Sequence, residues 1–178
     1  MEQFYEVDIC GRNVKLPILN IGNNINIAFF NLHGAQELTE HCAKNLAPLV
    51  DGAEVILTAE SKGLQLSHCV ARELGHARYA VARKSKKLYM AGGIETTVKS
   101  ITTKDEQTLY LSYDDAKLLK GKKVAIIDDV ISTGGSVSGL EKLVKMAGGI
   151  IYKKAFVLAE GDAKNRNDIV FLASIPLL

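Results

Sequence analysis

Two adjacent carboxylates, Asp128 and Asp129, stand between an apolar run at 124–127 and a short segment rich in Ser, Thr and Gly. The apolar run is typical of a buried strand, and open α/β sheets bind ligands beyond the carboxyl ends of such strands. Carboxylates pointing at a phosphate would repel it. We therefore expect this pair, the candidate catalytic residues, to accept hydrogen bonds from sugar hydroxyls or to hold a metal indirectly.

The segment after the acid pair is suited to a phosphate dianion. Two consecutive glycines let the backbone approach a ligand closely, and the helix expected to follow begins with exposed amides. Side-chain hydroxyls supply further donors. The candidate phosphate-binding residues are Ser132, Thr133, Gly134, Gly135 and Ser136. The competing interpretation is a structural turn in which the hydroxyls only cap the helix.

Two other phosphate motifs are absent from the sequence. It contains no G-x-x-x-x-G-K-[ST] and no G-x-G-x-x-G after a strand. P-loop nucleotide hydrolases and dinucleotide-binding domains therefore lose support.

The charge balance excludes a general nucleic-acid-binding surface. The chain of 178 residues carries 22 Lys and Arg against 20 Asp and Glu, a net charge of +2, so local structure must bind any phosphate. The N-terminus lacks the basic start and apolar run of a signal peptide, and no apolar stretch reaches the roughly 18 residues that span a bilayer. We expect a cytoplasmic protein without nucleic-acid or membrane partners.

The spacing of cysteines and histidines does not indicate a metal site. Cys10, Cys42 and Cys69 form no C-x-x-C pair and are expected to be buried thiols. The four histidines share no ligand spacing either.

Alternating patterns predict the scaffold that positions these residues. Apolar residues at helical spacing indicate helices at 34–50, 64–74 and 137–144. Short apolar runs indicate strands at 55–57, 79–82, 124–127, 155–158 and 169–172. Such alternation predicts an α/β fold with a mostly parallel sheet flanked by helices. We expect one domain over residues 1–178, a small N-terminal addition to about residue 34, and a functional loop or paired strands at 84–108.

At the acid pair and the loop that follows, the sequence resembles the type I phosphoribosyltransferase family. That family's signature is a hydrophobic strand, two acidic residues and a short Thr-Gly-Gly loop, and the signature binds 5-phosphoribosyl-1-pyrophosphate (PRPP). The resemblance implies that Asp128 and Asp129 engage the ribose 2- and 3-hydroxyls and that residues 132–136 hold the 5-phosphate. It covers about residues 55–172 and is much weaker before them.

Two further segments resemble the family's pyrophosphate site. Residues 59–63, Ala-Glu-Ser-Lys-Gly, resemble a loop of the purine enzymes that presents a peptide amide to pyrophosphate. Residues 83–87, Arg-Lys-Ser-Lys-Lys, resemble the run before a mobile loop that closes over PRPP, which would place that loop at 88–108. A run of cations is also common on a solvated surface. The implied pyrophosphate contacts are Ser61, Lys62, Lys84 and Lys87.

The resemblance also implies that the N-terminal addition is a hood that supplies the base site. Phe29, Phe30 and Asn31 are the candidates for stacking on a purine and bonding its edge. Overall similarity ranks adenine first, ahead of xanthine or hypoxanthine. Two features frequent in adenine enzymes are missing, a Phe-x-Asp-Ile motif at 28–32 and a Glu in the mobile loop near 100–103. That loop resembles the xanthine enzymes more.

The implied activity is transfer of the phosphoribosyl group from PRPP to a purine, with Mg²⁺ as cofactor and no direct protein ligand for the metal. A homodimer is usual for the family. Two alternatives stay open: a PRPP-sensing regulator, and a binding domain that has lost catalysis. The regulators carry an additional DNA-binding domain, whereas only about 50 residues precede the core here.

Overall fold

The first three strands form a small antiparallel sheet. They are β1 (Phe4–Ile9), β2 (Arg12–Asn20) and β3 (Asn26–Ala28), in the order β1-β2-β3. Cys10 and Gly11 form the first turn with φ angles of 51° and 84°, the left-handed conformations of a type I′ turn that matches the twist of paired strands. The structure, a computed structural model, describes residues 3–22, 25–99 and 106–178.

Strands and helices alternate along the rest of the chain. They are α1 (Gln36–Leu46), β4 (Val55–Ala59), α2 (Leu64–Glu73), β5 (Ala80–Ala82), β6 (Ile94–Lys99), β7 (Glu106–Leu111), α3 (Tyr113–Leu119), β8 (Lys123–Ile131), α4 (Gly135–Met146), β9 (Ile150–Glu160) and β10 (Val170–Ile175). Short 3-10 turns stand at Ala47–Val50, Leu88–Met90 and Gly161–Asn165.

Five parallel strands form the central sheet, in the order β10-β9-β8-β4-β5. The chain runs from β4 to β5 in one direction and from β8 to β10 in the other. The carboxyl ends of β4 and β8 therefore meet at the topological switch point, where open α/β sheets bind ligands. The predicted fold class, a mostly parallel sheet flanked by helices with a small N-terminal hood, is confirmed.

Apolar residues fill both faces of this sheet. Ala125 and Ile127 of β8 belong to a buried cluster with α1, α2 and the N-terminal sheet. Val124 and Ile126 of the same strand belong to a second cluster with β7, α3 and α4, because successive side chains of a strand point to opposite faces. Val7 and Ile9 of β1 lie in the first cluster, so the hood sheet packs on the core of the main sheet.

Two helices differ from the sequence prediction. The helix predicted at 34–50 is α1 followed by a 3-10 turn, because Gly34 has a left-handed φ of 74° and Pro48 stands in that turn without an N–H for an α-helical hydrogen bond. Helix α3 was missed, since seven residues are too few to show a helical period. Ser112 caps it by accepting a hydrogen bond from the N–H of Asp115 at 3.1 Å. In the described ranges, every helix is too short or too polar to cross a membrane.

The cysteines have three different environments. Cys42 is buried as predicted, and burial raises the pKa of its thiol to about 12. Cys69 is partly buried, with the pKa of its thiol raised by the same effect. The prediction for Cys10 is wrong: it is exposed, because a residue at the tip of a hairpin turn has no core to enter.

The segment at 84–108 contains a β-hairpin. Strands β6 and β7 pair from Ile94–Leu111 to Lys99–Glu106, so the described part of the segment matches the paired-strand alternative. The expected Glu position near 100–103 lies outside the described residues. The hairpin packs against α4 at Gly139, where a Cβ would lie 2.8 Å from Leu109 Cδ1 and 3.0 Å from Val98 Cγ1.

We expect Gly139→Val to destabilise the protein, because the branched side chain would force the hairpin away from α4. Overpacking of this kind costs about 1–3 kcal/mol. Urea unfolding measures the loss, and Lys145→Val at an exposed position of the same helix is the control for the low helix propensity of valine. Equal losses of unfolding free energy in the two variants would contradict the close packing.

Candidate functional site

The acid pair lies at the switch point of the sheet. Strand β8 pairs with β4 only as far as Ile126, whereas its pairing with β9 continues to Ile131. Asp128 and Asp129 therefore lie beyond the last partner on β4 and still within the ladder with β9. The prediction that the strand ends at residue 127 is wrong, since the hydrogen bonds with β9 extend it past both carboxylates.

Gly63 brings the loop between β4 and α2 against this acid pair. A Cβ on Gly63 would lie 2.8 Å from Asp128 Oδ1 and closer still to Thr58 Oγ1. The φ of Gly63 is −78°, which any residue adopts, so the requirement for glycine is one of space. The absence of a side chain lets residues 60–63 and the carboxylates face the same crevice.

The two carboxylates are held in a costly arrangement. Asp129 is 4% exposed, and its backbone N–H donates to Asp128 Oδ1 at 2.9 Å. Burial, followed by the charge of Asp129, raises the pKa of Asp128 to about 7, although this N–H and the ammonium of Lys84 oppose the rise. A carboxyl group shifted by burial and a charged neighbour in a crevice is typical of a functional site.

Lys62 joins the acid pair to the hood. Its Nζ lies 3.1 Å from Asp129 Oδ2 and donates to the carbonyl of Phe30 at 3.0 Å. The same ammonium lies 5.2 Å from the centre of the Phe29 ring, within the range of a cation–π contact. The sequence-based role of Lys62 in pyrophosphate binding stays a prediction, and its side chain is 39% exposed beside these contacts.

The Ser-Thr-Gly segment forms a cradle at the start of α4. The residues that line a cavity of about 190 Å³ there include Asp128, Ser132, Thr133, Gly134, Gly135 and Ser136. Gly134 is the first residue before α4 and has a left-handed φ of 82°, and no described side chain caps the helix. The first amides of α4 are therefore left for a ligand, and the structural-turn interpretation loses support.

Glu60 connects the two segments predicted to bind pyrophosphate. Its carboxylate accepts hydrogen bonds from Nε of Arg83 and, at 2.6 Å, from the backbone N–H of Lys84. The peptide bond between Glu60 and Ser61 is cis. Ser61 and Lys84 are exposed at this edge, and Lys87 is exposed where the 3-10 turn after β5 begins.

The hood residues divide into a core residue and two that face outward in part. Phe30 is 2% exposed and belongs to the core cluster, so the prediction that its ring stacks on a base is wrong. Phe29 and Asn31 are partly exposed. The Oδ1 of Asn31 accepts from the N–H of His33 at 3.1 Å, and the ring of the exposed His33 contacts Gln65 Nε2 at 2.9 Å.

Sequence reasoning missed two charged residues of this region. Glu60 belongs to the Ala-Glu-Ser-Lys-Gly segment at 59–63, but no pattern in the neighbouring sequence identifies its partners, which follow β5. Arg166, in the segment after β9, contacts the cradle at Gly134. No sequence signal marks Arg166, because only the tertiary fold brings that segment beside α4.

Among the described residues, no group of three or more His, Cys, Asp or Glu side chains is arranged to hold a metal ion. Mg²⁺ is commonly bound through one or two carboxylates together with substrate phosphates. The acid pair would hold an ion of that kind indirectly, with the oxygens of a phosphorylated substrate as its direct ligands.

We expect Asp128→Asn to stabilise the protein above neutral pH. An unfolded aspartate ionises near pH 3.9, whereas the pKa of Asp128 is raised to about 7, so the folded state binds more protons between these values. Stability of the parent protein then falls as pH rises through that window, and the amide removes the fall. Thermal unfolding should give a Tm a few degrees higher for the variant at pH 8 and a much smaller difference at pH 5.

Asp114→Asn, at an exposed position of α3, is the matched control for the same chemical change. A gain of Asp128→Asn that is equal at both pH values would contradict the raised pKa of Asp128.

Comparison with known proteins agrees with this geometry. The model of the phosphoribosyl transferase domain matches residues 31–171. The adenine phosphoribosyltransferase of Clostridium botulinum is 34% identical over 65% of this chain, and the match spans 64% of that protein, slightly less than two thirds. The xanthine phosphoribosyltransferase of Bifidobacterium adolescentis is 31% identical over 82% of this chain and 79% of its own.

The fold comparison gives the same result. The crystal structure of adenine phosphoribosyltransferase from Thermoanaerobacter pseudethanolicus superposes with a TM-score of 0.74, covering 90% of this chain and 95% of that one at 21% identity. That likeness establishes the shared fold, and the domain match over most of the sequence establishes the relationship. The chain belongs to the phosphoribosyl transferase family.

Proposed function

We propose that this protein is a purine phosphoribosyltransferase of purine salvage, which transfers the phosphoribosyl group from PRPP to a purine base, with adenine ranked first. The observation that carries the proposal is the single cavity at the switch point lined by Asp128 and the whole phosphate cradle. A carboxylate for sugar hydroxyls beside uncapped helix amides for a phosphate is the arrangement that a ribose 5-phosphate requires.

Each part of PRPP has a candidate partner at this edge. Asp128 and Asp129 hold the ribose hydroxyls, and residues 132–136 hold the 5-phosphate. The pyrophosphate contacts come from Ser61, Lys62, Lys84 and Lys87. The hydrogen bonds of Glu60 to Arg83 and to the backbone N–H of Lys84 support this grouping, because they tie the loop that carries Ser61 and Lys62 to the segment that carries Lys84.

The reaction depends mainly on the positioning of the ribose and on the stabilisation of the charge that leaves with pyrophosphate. The bond from the anomeric carbon to pyrophosphate breaks with its electron pair leaving on oxygen, while the purine nitrogen forms the new bond and its proton passes to the departing pyrophosphate. Positive charge develops on the sugar ring, as in glycoside chemistry. The acid pair fixes the ribose, and the lysines stabilise the departing charge. Bound Mg²⁺ would neutralise the pyrophosphate, held by substrate oxygens, with the carboxylates acting through the ribose hydroxyls.

The identity of the base is the finer part of the proposal. Phe29 supplies the ring for stacking, and Asn31 supplies polar groups for the edge of the base. Similarity to the Clostridium botulinum relative favours adenine. Xanthine is the second candidate, because the Bifidobacterium adolescentis relative matches a larger share of this chain and residues 28–32 lack the hood motif frequent in adenine enzymes. Hypoxanthine ranks behind both.

The proposal extends to the setting of the enzyme. We place it in the cytoplasm as one phosphoribosyltransferase domain over residues 1–178 with a hood to about residue 34, and without nucleic-acid or membrane partners. The near-neutral charge of +2 supports the absence of a nucleic-acid partner, because such binding draws its affinity from neutralised phosphates.

The test is a panel of radiolabelled adenine, guanine, hypoxanthine and xanthine, each incubated with PRPP, Mg²⁺ and the purified chain. We expect one purine to give its nucleoside monophosphate with release of pyrophosphate. PRPP binding without turnover of any base would favour the PRPP-sensing regulator or the inactive binding domain. The absence of both PRPP binding and turnover would refute the proposal.

Asp129→Asn tests the role of the buried carboxylate in the same assay. We expect kcat/KM for PRPP to fall by about 100-fold, the usual effect of misplacing a reacting group by about 1 Å. Asp114→Asn on α3 is the control for the same chemical change at an exposed position. Unchanged turnover in a folded Asp129→Asn protein would refute the role assigned to this carboxylate.

The proposed homodimer is tested by light scattering. We expect a particle with twice the chain mass of 19.3 kDa at micromolar concentration. A particle with the mass of one chain would contradict the dimer and leave the proposed reaction unaffected.

A further inference from the structure

The phosphate cradle lacks a cation of its own. Residues 132–136 are Ser, Thr, Gly, Gly and Ser, so they offer amides and hydroxyls but no formal positive charge. The two carboxylates of the acid pair precede them on the same strand. A positively charged donor from elsewhere in the fold would therefore strengthen the binding of a phosphate dianion here.

Arg166 is the cation that the fold brings to the cradle. A Cβ built on Gly134 would lie 2.6 Å from Arg166 Nη1, so the guanidinium packs directly on the left-handed glycine before α4. Arg166 lines one depression of about 360 Å³ with Thr133, Gly134 and Gly135, and the charged Glu141 and Lys142 line it too. It also lines a second depression of about 390 Å³ with Ser132 and Thr133. Its side chain is 33% exposed, so a ligand can reach it.

A fixed ion-pair network orients this guanidinium. Its Nε and Nη2 donate to the two carboxylate oxygens of Asp168 at 2.9 and 2.8 Å. Lys154, 8% exposed on β9, donates to the same carboxylate and to Glu141 of α4. These hydrogen bonds hold the pKa of Asp168 well below its usual range, so the carboxylate stays charged and keeps both hydrogen bonds from Arg166.

The geometry leaves one nitrogen of Arg166 for a ligand. Two of the three guanidinium nitrogens are taken by Asp168, and within the described residues no acceptor bonds to Nη1. That nitrogen is also the one beside Gly134. A planar guanidinium held on one side by a carboxylate presents its remaining N–H groups in a fixed direction, which suits the oxygens of a phosphate.

We infer that Arg166 is a binding residue for the 5-phosphate of PRPP and of the nucleotide product, oriented by Asp168 and Lys154. This inference rests on the proposed function and adds to it the charged donor that the cradle lacks. The competing explanation is purely structural, in which Arg166 only ties the segment after β9 to the end of the sheet.

Calorimetric titration with two ligands separates these explanations. Ribose 5-phosphate probes the cradle, and pyrophosphate probes the other subsite in the same protein. We expect Arg166→Gln to weaken binding of ribose 5-phosphate by about 10- to 100-fold, the effect of losing one charged hydrogen bond. Binding of pyrophosphate should stay within about twofold of the parent. In steady-state assays KM for PRPP should rise, with KM for the purine unchanged.

Two further variants complete the test. Arg166→Lys keeps the charge but loses the pair of hydrogen bonds to Asp168, so its affinity for ribose 5-phosphate should lie between those of the parent and Arg166→Gln. If Arg166→Gln does not fold, the two ligands are compared in Arg166→Lys instead. Lys164→Gln removes a neighbouring exposed cation and should leave the affinities for both ligands unchanged.

Three outcomes would overturn the inference. Unchanged affinity of Arg166→Gln for ribose 5-phosphate would show that Arg166 does not bind the 5-phosphate. Equal weakening of both ligands would show a structural role. A parent protein that binds neither ligand and converts no purine would refute the proposed function itself, and the inference with it.

Discussion

Gly63 lies so close to Asp128 that no side chain fits between the β4–α2 loop and the end of β8. This contact brings the ends of two strands, distant in sequence, to one crevice at the switch point of the sheet. With a larger residue at this position, the β4–α2 loop and the acid pair would be pushed apart. The site therefore depends on the absence of one side chain as much as on the charges that surround it.

The charges around that contact are arranged to compensate one another. Asp129 is buried but lies beside the ammonium of Lys62, which also bonds the carbonyl of Phe30. The same lysine thus connects a carboxylate of β8 with the hood. On the other side of the cradle, Lys154 and Arg166 converge on Asp168. The small net charge of +2 conceals these local groups of opposite charge, since interactions over a few ångströms decide what binds.

The sequence predicted those parts of the site that are continuous in the chain. Asp128 and the residues of the cradle line one cavity, because a strand, a turn and a helix N-terminus in succession leave little freedom in their relative placement. The sequence could not separate Phe29 from Phe30, since both rings are equally apolar and only packing buries one of them. It also ended the strand too early, because extension to Ile131 follows from hydrogen bonds with β9.

The sequence by itself determined the alternation of strands and helices, the acid pair and the cradle, because hydrophobic period and turn chemistry are local properties. Only the tertiary structure decided that Lys62 reaches both Asp129 and the hood, that Glu60 binds the start of the Lys84 segment, and that Arg166 lies against Gly134. Each of these contacts joins segments far apart in the chain. No local pattern encodes such a contact, since it exists only after the strands have been ordered in the sheet.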